Sequence, residues 1–156
     1  MKRLLICFLA VGALALTSCN KNYAEDFVGT YNSIQTMNVT VTCTVMGQTD
    51  TETEIDTVRD TIVIALAGDD GGVTLTNPMG EGVIKGTVDK NGLHIDNQTI
   101  TESDEDGTYS ITFAFPIIEA PQNGKLAWTS DITGTGVFDE GSLIFNGTDN
   151  FVCTRL

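Results

Sequence analysis

From Phe27 onward, apolar and polar residues alternate with a period of two. Met37, Val39, Val41, Cys43 and Val45 are separated by Asn38, Thr40, Thr42 and Thr44. Tyr109, Ile111, Phe113, Phe115 and Ile117 are separated by Ser110, Thr112, Ala114 and Pro116. Leu126, Trp128, Ile132 and Phe138 share one parity, filled in by Ser130, Gly134 and Gly136. Lys125, Thr129, Asp131, Thr133 and Thr135 hold the other. In the last segment Leu143, Phe145, Phe151 and Cys153 share a face, opposite Ser142, Asn146, Thr148 and Asn150. Successive strand side chains point to opposite faces, so each segment has one face to bury and one to wet.

Turn chemistry punctuates this pattern. Asp69-Asp70-Gly71-Gly72, Asp89-Lys90-Asn91-Gly92, Asp104-Glu105-Asp106-Gly107, Gln122-Asn123-Gly124 and Asp139-Glu140-Gly141 supply the residues that tolerate positive φ. Strands are predicted over 28–35, 37–47, 57–66, 72–77, 82–88, 92–101, 108–118 and 125–138, with a ninth over 142–155. The first two can form one long bent strand. Short turns between sequential strands predict an all-β, up-and-down antiparallel barrel of about eight strands, since closure removes exposed edges. A barrel of that size is filled by side chains or holds one small ligand.

The start of the chain is different in kind. Met1-Lys2-Arg3 is basic, and Leu4 to Leu16 is a nearly unbroken apolar run of about 13 residues, short for a membrane span and right for an export signal. The run closes on Leu16-Thr17-Ser18-Cys19. A cysteine after small residues at that place resembles the lipobox of bacterial lipoproteins. The resemblance implies cleavage before Cys19, lipidation of its thiol with diacylglycerol, and acylation of the new amino terminus. Two or more chains, palmitate among them, anchor firmly at about 0.8 kcal/mol per buried CH₂. The expected organisation is a signal peptide over 1–18, a lipidated cysteine and tether over 19–26, and a β-barrel domain over 27–156. The expected location is the cell envelope, at the outer membrane.

Charge narrows the partners. The formal net charge is −13, from 21 acids against eight bases, and Lys2 and Arg3 belong to the signal. A chain this acidic lacks the basic patch that phosphate recognition needs, so nucleic acid is not an expected partner. Its contact with membrane is expected through the lipid. No protein partner is legible.

Candidate chemistry is sparse. His94 is the only histidine; it alternates with Leu93 and Ile95 and is read as a surface residue beside Asp96. No catalytic triad can be assembled without it, so no catalytic residue is assigned and the protein is not expected to be an enzyme. Zinc needs several His or Cys ligands. The acid-rich stretches Asp69-Asp70, Glu102-Asp104-Glu105-Asp106 and Asp50-Glu52-Glu54-Asp56 are candidates for calcium. None fits a complete calcium loop, and ordinary acidic turns are the preferred reading, so no metal or cofactor is assigned. Asn-x-Thr sequons at Asn38, Asn97 and Asn146 are read as chance. Asp56-Thr57-Val58 and Asp60-Thr61-Ile62 resemble the Asp-Thr-aliphatic O-glycosylation sites of certain exported bacterial proteins.

A second resemblance lies in "FVGTYNS" at Phe27–Ser33 and "GTGVFDEGSLIFNGT" at 134–148. The first resembles the Gly-x-Trp/Tyr opening of the first strand in calycins, the group of lipocalins, fatty-acid-binding proteins and avidins. The second is similar to the closing hairpin of calycin-like lipoproteins. The resemblance implies an eight-stranded barrel with Gly29 and Tyr31 at its closed end.

Two functions remain open. In one, the barrel binds a small apolar or amphipathic ligand lined by Tyr109, Phe113, Phe115, Trp128 and Phe145. In the other, the same aromatics fill the barrel, and the protein is a structural or interaction lipoprotein of the surface-antigen or adhesin kind. Cys43 and Cys153 share the inward parity of the first and last strands. In an oxidising compartment, with those strands adjacent, a disulfide between them is expected over two free thiols.

Overall fold

A turn of helix, α1 (Ala24–Phe27), leads into a long hairpin of β1 (Gly29–Val45) and β2 (Gln48–Leu66). Three short strands follow, β3 (Gly72–Thr76), β4 (Val83–Asp89) and β5 (Gly92–Ile95). Then come β6 (Gln98–Ser103), β7 (Gly107–Ala114), β8 (Lys125–Phe138) and β9 (Gly141–Arg155). The computed structural model describes residues 22–68, 70–76, 82–103 and 107–156.

All nine strands form one antiparallel sheet in the order β5-β4-β3-β2-β1-β9-β8-β7-β6. All sequential strands except β5 and β6 are neighbours, and the first pairs with the last, as in an up-and-down barrel. The ring is open between β5 and β6. Below that gap Leu93 and Ile118 exchange two backbone hydrogen bonds, of 2.8 and 2.9 Å, which tie β5 to the segment entering β8.

Strand lengths divide the sheet into two halves. β3 pairs β2 from Ile64 to Leu66, so β3, β4 and β5 wall off one end of the long hairpins. In this closed half Tyr31, Ile62, Ile64, Leu93, Ile118, Leu126, Trp128 and Phe151 form the core, and Ala24 and Phe27 of α1 plug it from below. Each fully buried side chain of this size contributes roughly 1.5–3 kcal/mol. In the open half, β6, β7 and the far ends of β8, β9, β1 and β2 form a six-stranded sheet whose inner face has no strand across from it among the described residues.

Residues 19–21 of the expected tether lie outside the described residues. The polar stretch before Phe27 ends in a helical turn whose Ala24 and Phe27 are buried. Tyr31 sits at this end, as expected. Its hydroxyl donates to Phe27 O at 2.6 Å and accepts from the Arg155 guanidinium at 2.7 Å, and that guanidinium lies 5.3 Å from the ring centre. A Cβ on Gly29 would stand 3.1 Å from Arg155 Nε, so the glycine leaves space for the guanidinium.

Other expectations shift. The first two predicted strands are one, β1. It ends in a two-residue turn with positive φ at Met46 (48°) and Gly47 (81°), which suits the twist of a tight hairpin. β2 begins at Gln48 rather than residue 57, so Asp50, Glu52, Glu54 and Asp56 lie on a strand and not in a loop. The predicted strand 92–101 breaks at Asp96–Asn97 into β5, which walls the closed half, and β6, which belongs to the open half. β7 stops at Ala114, leaving Phe115 packed against the core and Ile117 exposed.

The disulfide expectation fails. β1 and β9 are adjacent, but Cys43 stands opposite Leu143 and Cys153 opposite Ser33. That register separates the two cysteines by about ten rungs, roughly 33 Å at the rise of a strand, against the 4.4–6.8 Å a bridge needs. Both thiols are free. Burial pushes the Cys153 thiol up to about 11, so it packs as a small hydrophobe.

On the outer face, cross-strand threonines tie the long hairpin together. Hydroxyls of Thr44 and Thr49, Thr42 and Thr51, and Thr40 and Thr53 lie 3.1, 3.3 and 2.9 Å apart. Such pairs contribute roughly 0.2–1 kcal/mol each. They brace the part of β2 that lacks a β3 partner.

Candidate functional site

Strand register lays the inner face of the open half out in rows. Directly opposed residues share a face, so the pairs can be read from β2 across to β6. Inside a tip row of Gln48, Val45, Gly141, Phe138 and Gly107, the first row to reach β6 is Asp50, Cys43, Leu143, Gly136, Tyr109 and Glu102. Next come Glu52, Val41, Phe145, Gly134, Ile111 and Ile100. Below them stand Glu54, Val39, Gly147, Ile132, Phe113 and Gln98. The row at the floor is Asp56, Met37, Asp149 and Ser130.

The trough is therefore apolar along its middle and acidic along its β2 edge. Met37, Val39, Val41, Ile111 and Phe145 are half-buried, and Ile100 is exposed. Glycines shape the surface. A Cβ at Gly147 would lie 2.1 Å from Asn38 O, and one at Gly134 would lie 2.5 Å from Ser110 O. The neighbouring backbones can come this close because those positions carry no side chain. An open hollow of about 560 Å³ lies at the β1–β2 tip, lined by Cys43, Val45, Met46, Gln48, Thr49 and Asp50.

The floor of the trough is polar and buried. Gln35 Nε2 donates to Asp149 Oδ2 at 2.8 Å. Asp149 is 1% exposed and Ser130 is fully buried. Asp149 Oδ1, Ser130 Oγ and, one row down, Trp128 Nε1 have no hydrogen-bond partner among the described residues. Burial raises the Asp149 carboxyl to about 6, and the Gln35 hydrogen bond offsets part of that rise.

The five aromatics expected to line a site divide between the two halves. Tyr109 and Phe145 meet in the trough, ring centres 6.2 Å apart, and the Tyr109 hydroxyl donates to Glu102. Phe113 is buried on the trough face beside Ile132. Trp128 stacks on Phe151 at 4.5 Å in the closed core, and Phe115 packs against that core. The missed members are Asp149, Ser130 and Gln35. Their parity marked them as inward, and a polar residue on an apolar face was the legible signal.

No protein-family model, curated protein or solved structure matches the chain. His94 points away from the core and pairs across the β4–β5 hairpin with Asp89, Nε2 to Oδ1 3.1 Å, rather than with Asp96. The Asn91 backbone N–H and then His94 hold the exposed Asp89 carboxyl below its ordinary range. Among the described residues no three His, Cys, Asp or Glu side chains are grouped to hold a metal ion. Thr57 and Thr61 are exposed on the outer face of β2, each backbone N–H bonded to the preceding aspartate at 2.7 Å. Cys19, Asp69 and residues 104–106 lie outside the described residues.

Proposed function

We propose that the chain is a calycin-like lipoprotein, anchored at the outer membrane by acyl chains on Cys19, whose open half-barrel binds a small amphipathic ligand. It acts by binding, without catalysis. One observation carries the reading. The apolar inner face continues past the wall of β3, β4 and β5, and its far rows are left uncovered above a buried polar floor. Ligand sites combine such a concave apolar surface with a few placed polar groups. The packed closed half favours the second reading, a structural lipoprotein, for that half alone.

The chain from Asn22 onward holds every element of the sheet and its core. With this chain, a neutral naphthylamine fluorophore is expected to bind saturably, with Kd on the order of 1–10 μM. Val41→Asp, placing a charge in the second row, is expected to weaken it at least tenfold with the urea midpoint little changed. Linear, non-saturable uptake by the wild-type chain sinks the reading.

The anchor is tested separately. The full chain, expressed in a lipoprotein-processing bacterium, is expected to partition into detergent, and the Cys19→Ala chain is not. A wild-type chain that stays aqueous with an unmodified Cys19 refutes the anchor.

A further inference from the structure

We infer that the trough selects amphipathic amines, with the ammonium at Asp149 and Ser130 and the apolar body along β1 and β9; the inference rests on the ligand-binding reading above. Two independent observations meet here. The first is the charge of the inner face. Asp50, Glu52, Glu54 and Asp56 stand at every second position of β2, opposite Cys43, Val41, Val39 and Met37. Glu102 faces them from the β6 edge of the Asp50 row, and Asp149 stands at the floor. Among the described residues no Lys or Arg occupies an inner position of these rows. A cleft lined by one sign of charge on an apolar wall concentrates counter-ions within it.

The second observation is the unfinished hydrogen bonding at the floor. Asp149 Oδ2 is satisfied by Gln35, while Oδ1 has no partner among the described residues, and neither does Ser130 Oγ across the ladder. A buried carboxylate oxygen without a donor is costly, and each such group calls for an explanation. An ammonium carries three donors and the compensating charge, and both oxygens can accept from it. From Asp149 to Leu143 the strand runs about 20 Å at its ordinary rise. An extended chain can lie along that path over Met37, Val39, Val41 and Phe145. An anionic head would meet Asp149 with Asp56 in the same row. An uncharged head would leave the carboxylate uncompensated.

The experiment compares dodecylamine, dodecanol and dodecanoate, each below its micellar concentration, as competitors for the naphthylamine fluorophore. Trp128, the chain's one tryptophan, lies one row below the floor and gives a second optical readout. Dodecylamine is expected to displace the fluorophore at a concentration at least tenfold lower than dodecanol, with dodecanoate the weakest. In Asp149→Asn the amine-to-alcohol ratio is expected to collapse to within about twofold. Equal potency of the three, or preference for the alcohol or carboxylate, overturns the amine inference and leaves the trough standing as an apolar site. Displacement by none of them overturns the amine inference, while the binding reading falls only if uptake of the fluorophore itself is non-saturable. An amine preference that survives Asp149→Asn also overturns the inference, since it then comes from the β2 edge alone.

Discussion

Asp149→Asn is expected to stabilise the folded chain by about 2–3 kcal/mol at pH 8 and to make little difference near pH 3.5. The sign follows from burial. Asp149 is 1% exposed, and its carboxyl is raised from 3.8 to about 6. Below pH 3.8 the group is protonated in both folded and unfolded chains, and an asparagine of the same shape replaces it with little change. Between pH 3.8 and 6 the folded chain holds the proton more tightly, so wild-type stability falls relative to the variant as pH rises. Above about 6 the folded state carries the full cost of a buried charge. The measurement is urea unfolding of both chains from pH 3.5 to 8. A difference that does not grow across this window, or a variant that is weaker at pH 8, refutes it. Combined with loss of amine selectivity, the gain would mark Asp149 as a residue kept for binding at the expense of stability.

Tyr31→Ala is expected to cost about 4 kcal/mol, a large fraction of the roughly 5–15 kcal/mol by which folded domains are stable. The ring is fully buried between the helical plug and the closed core. Its hydroxyl joins Phe27 O of α1 to Arg155 of β9, so one side chain links the plug, the first strand and the last. Tyr31→Phe keeps the ring and removes those bonds, and is expected to cost about 1–2 kcal/mol. Thermal and urea unfolding separate the two. A Tyr31→Ala chain within about 1 kcal/mol of wild type would mean that the plug and the Arg155 contact hold nothing together.

The strands were legible wherever one parity is apolar. β1, β7, β8 and β9 each announce an inner face through residues such as Val39, Phe113, Leu126 and Phe151. The far end of β2 was not, and the reason is chemical. Gln48-Thr49-Asp50-Thr51-Glu52-Thr53-Glu54 alternates with period two, but its inward members are Gln48 and three acids. Reading strands from apolar alternation misses a strand whose inner face lines an open trough, because that face was never meant to be dry. The site shows the same split. Tyr109, Phe113 and Phe145 were legible as inward aromatics. That Trp128 belongs to the core while Phe145 faces the trough depends on which rows lie beside β3, β4 and β5.

The all-β class, the meander, the pairing of first and last strands and the parity of nearly every inward side chain are legible from the residues in order. These follow from local facts: the two-residue period of a strand, glycine and aspartate at turns, and the short connections between neighbours. Register and strand length were decided by the tertiary structure. A rung-by-rung offset between β1 and β9 places Cys43 beside Leu143 and denies it Cys153. The short reach of β3 along β2 leaves half the barrel open. The first depends on how two strands far apart in the chain are set against each other and the second on how far β3 runs back along β2, and neither is written in a residue acting alone.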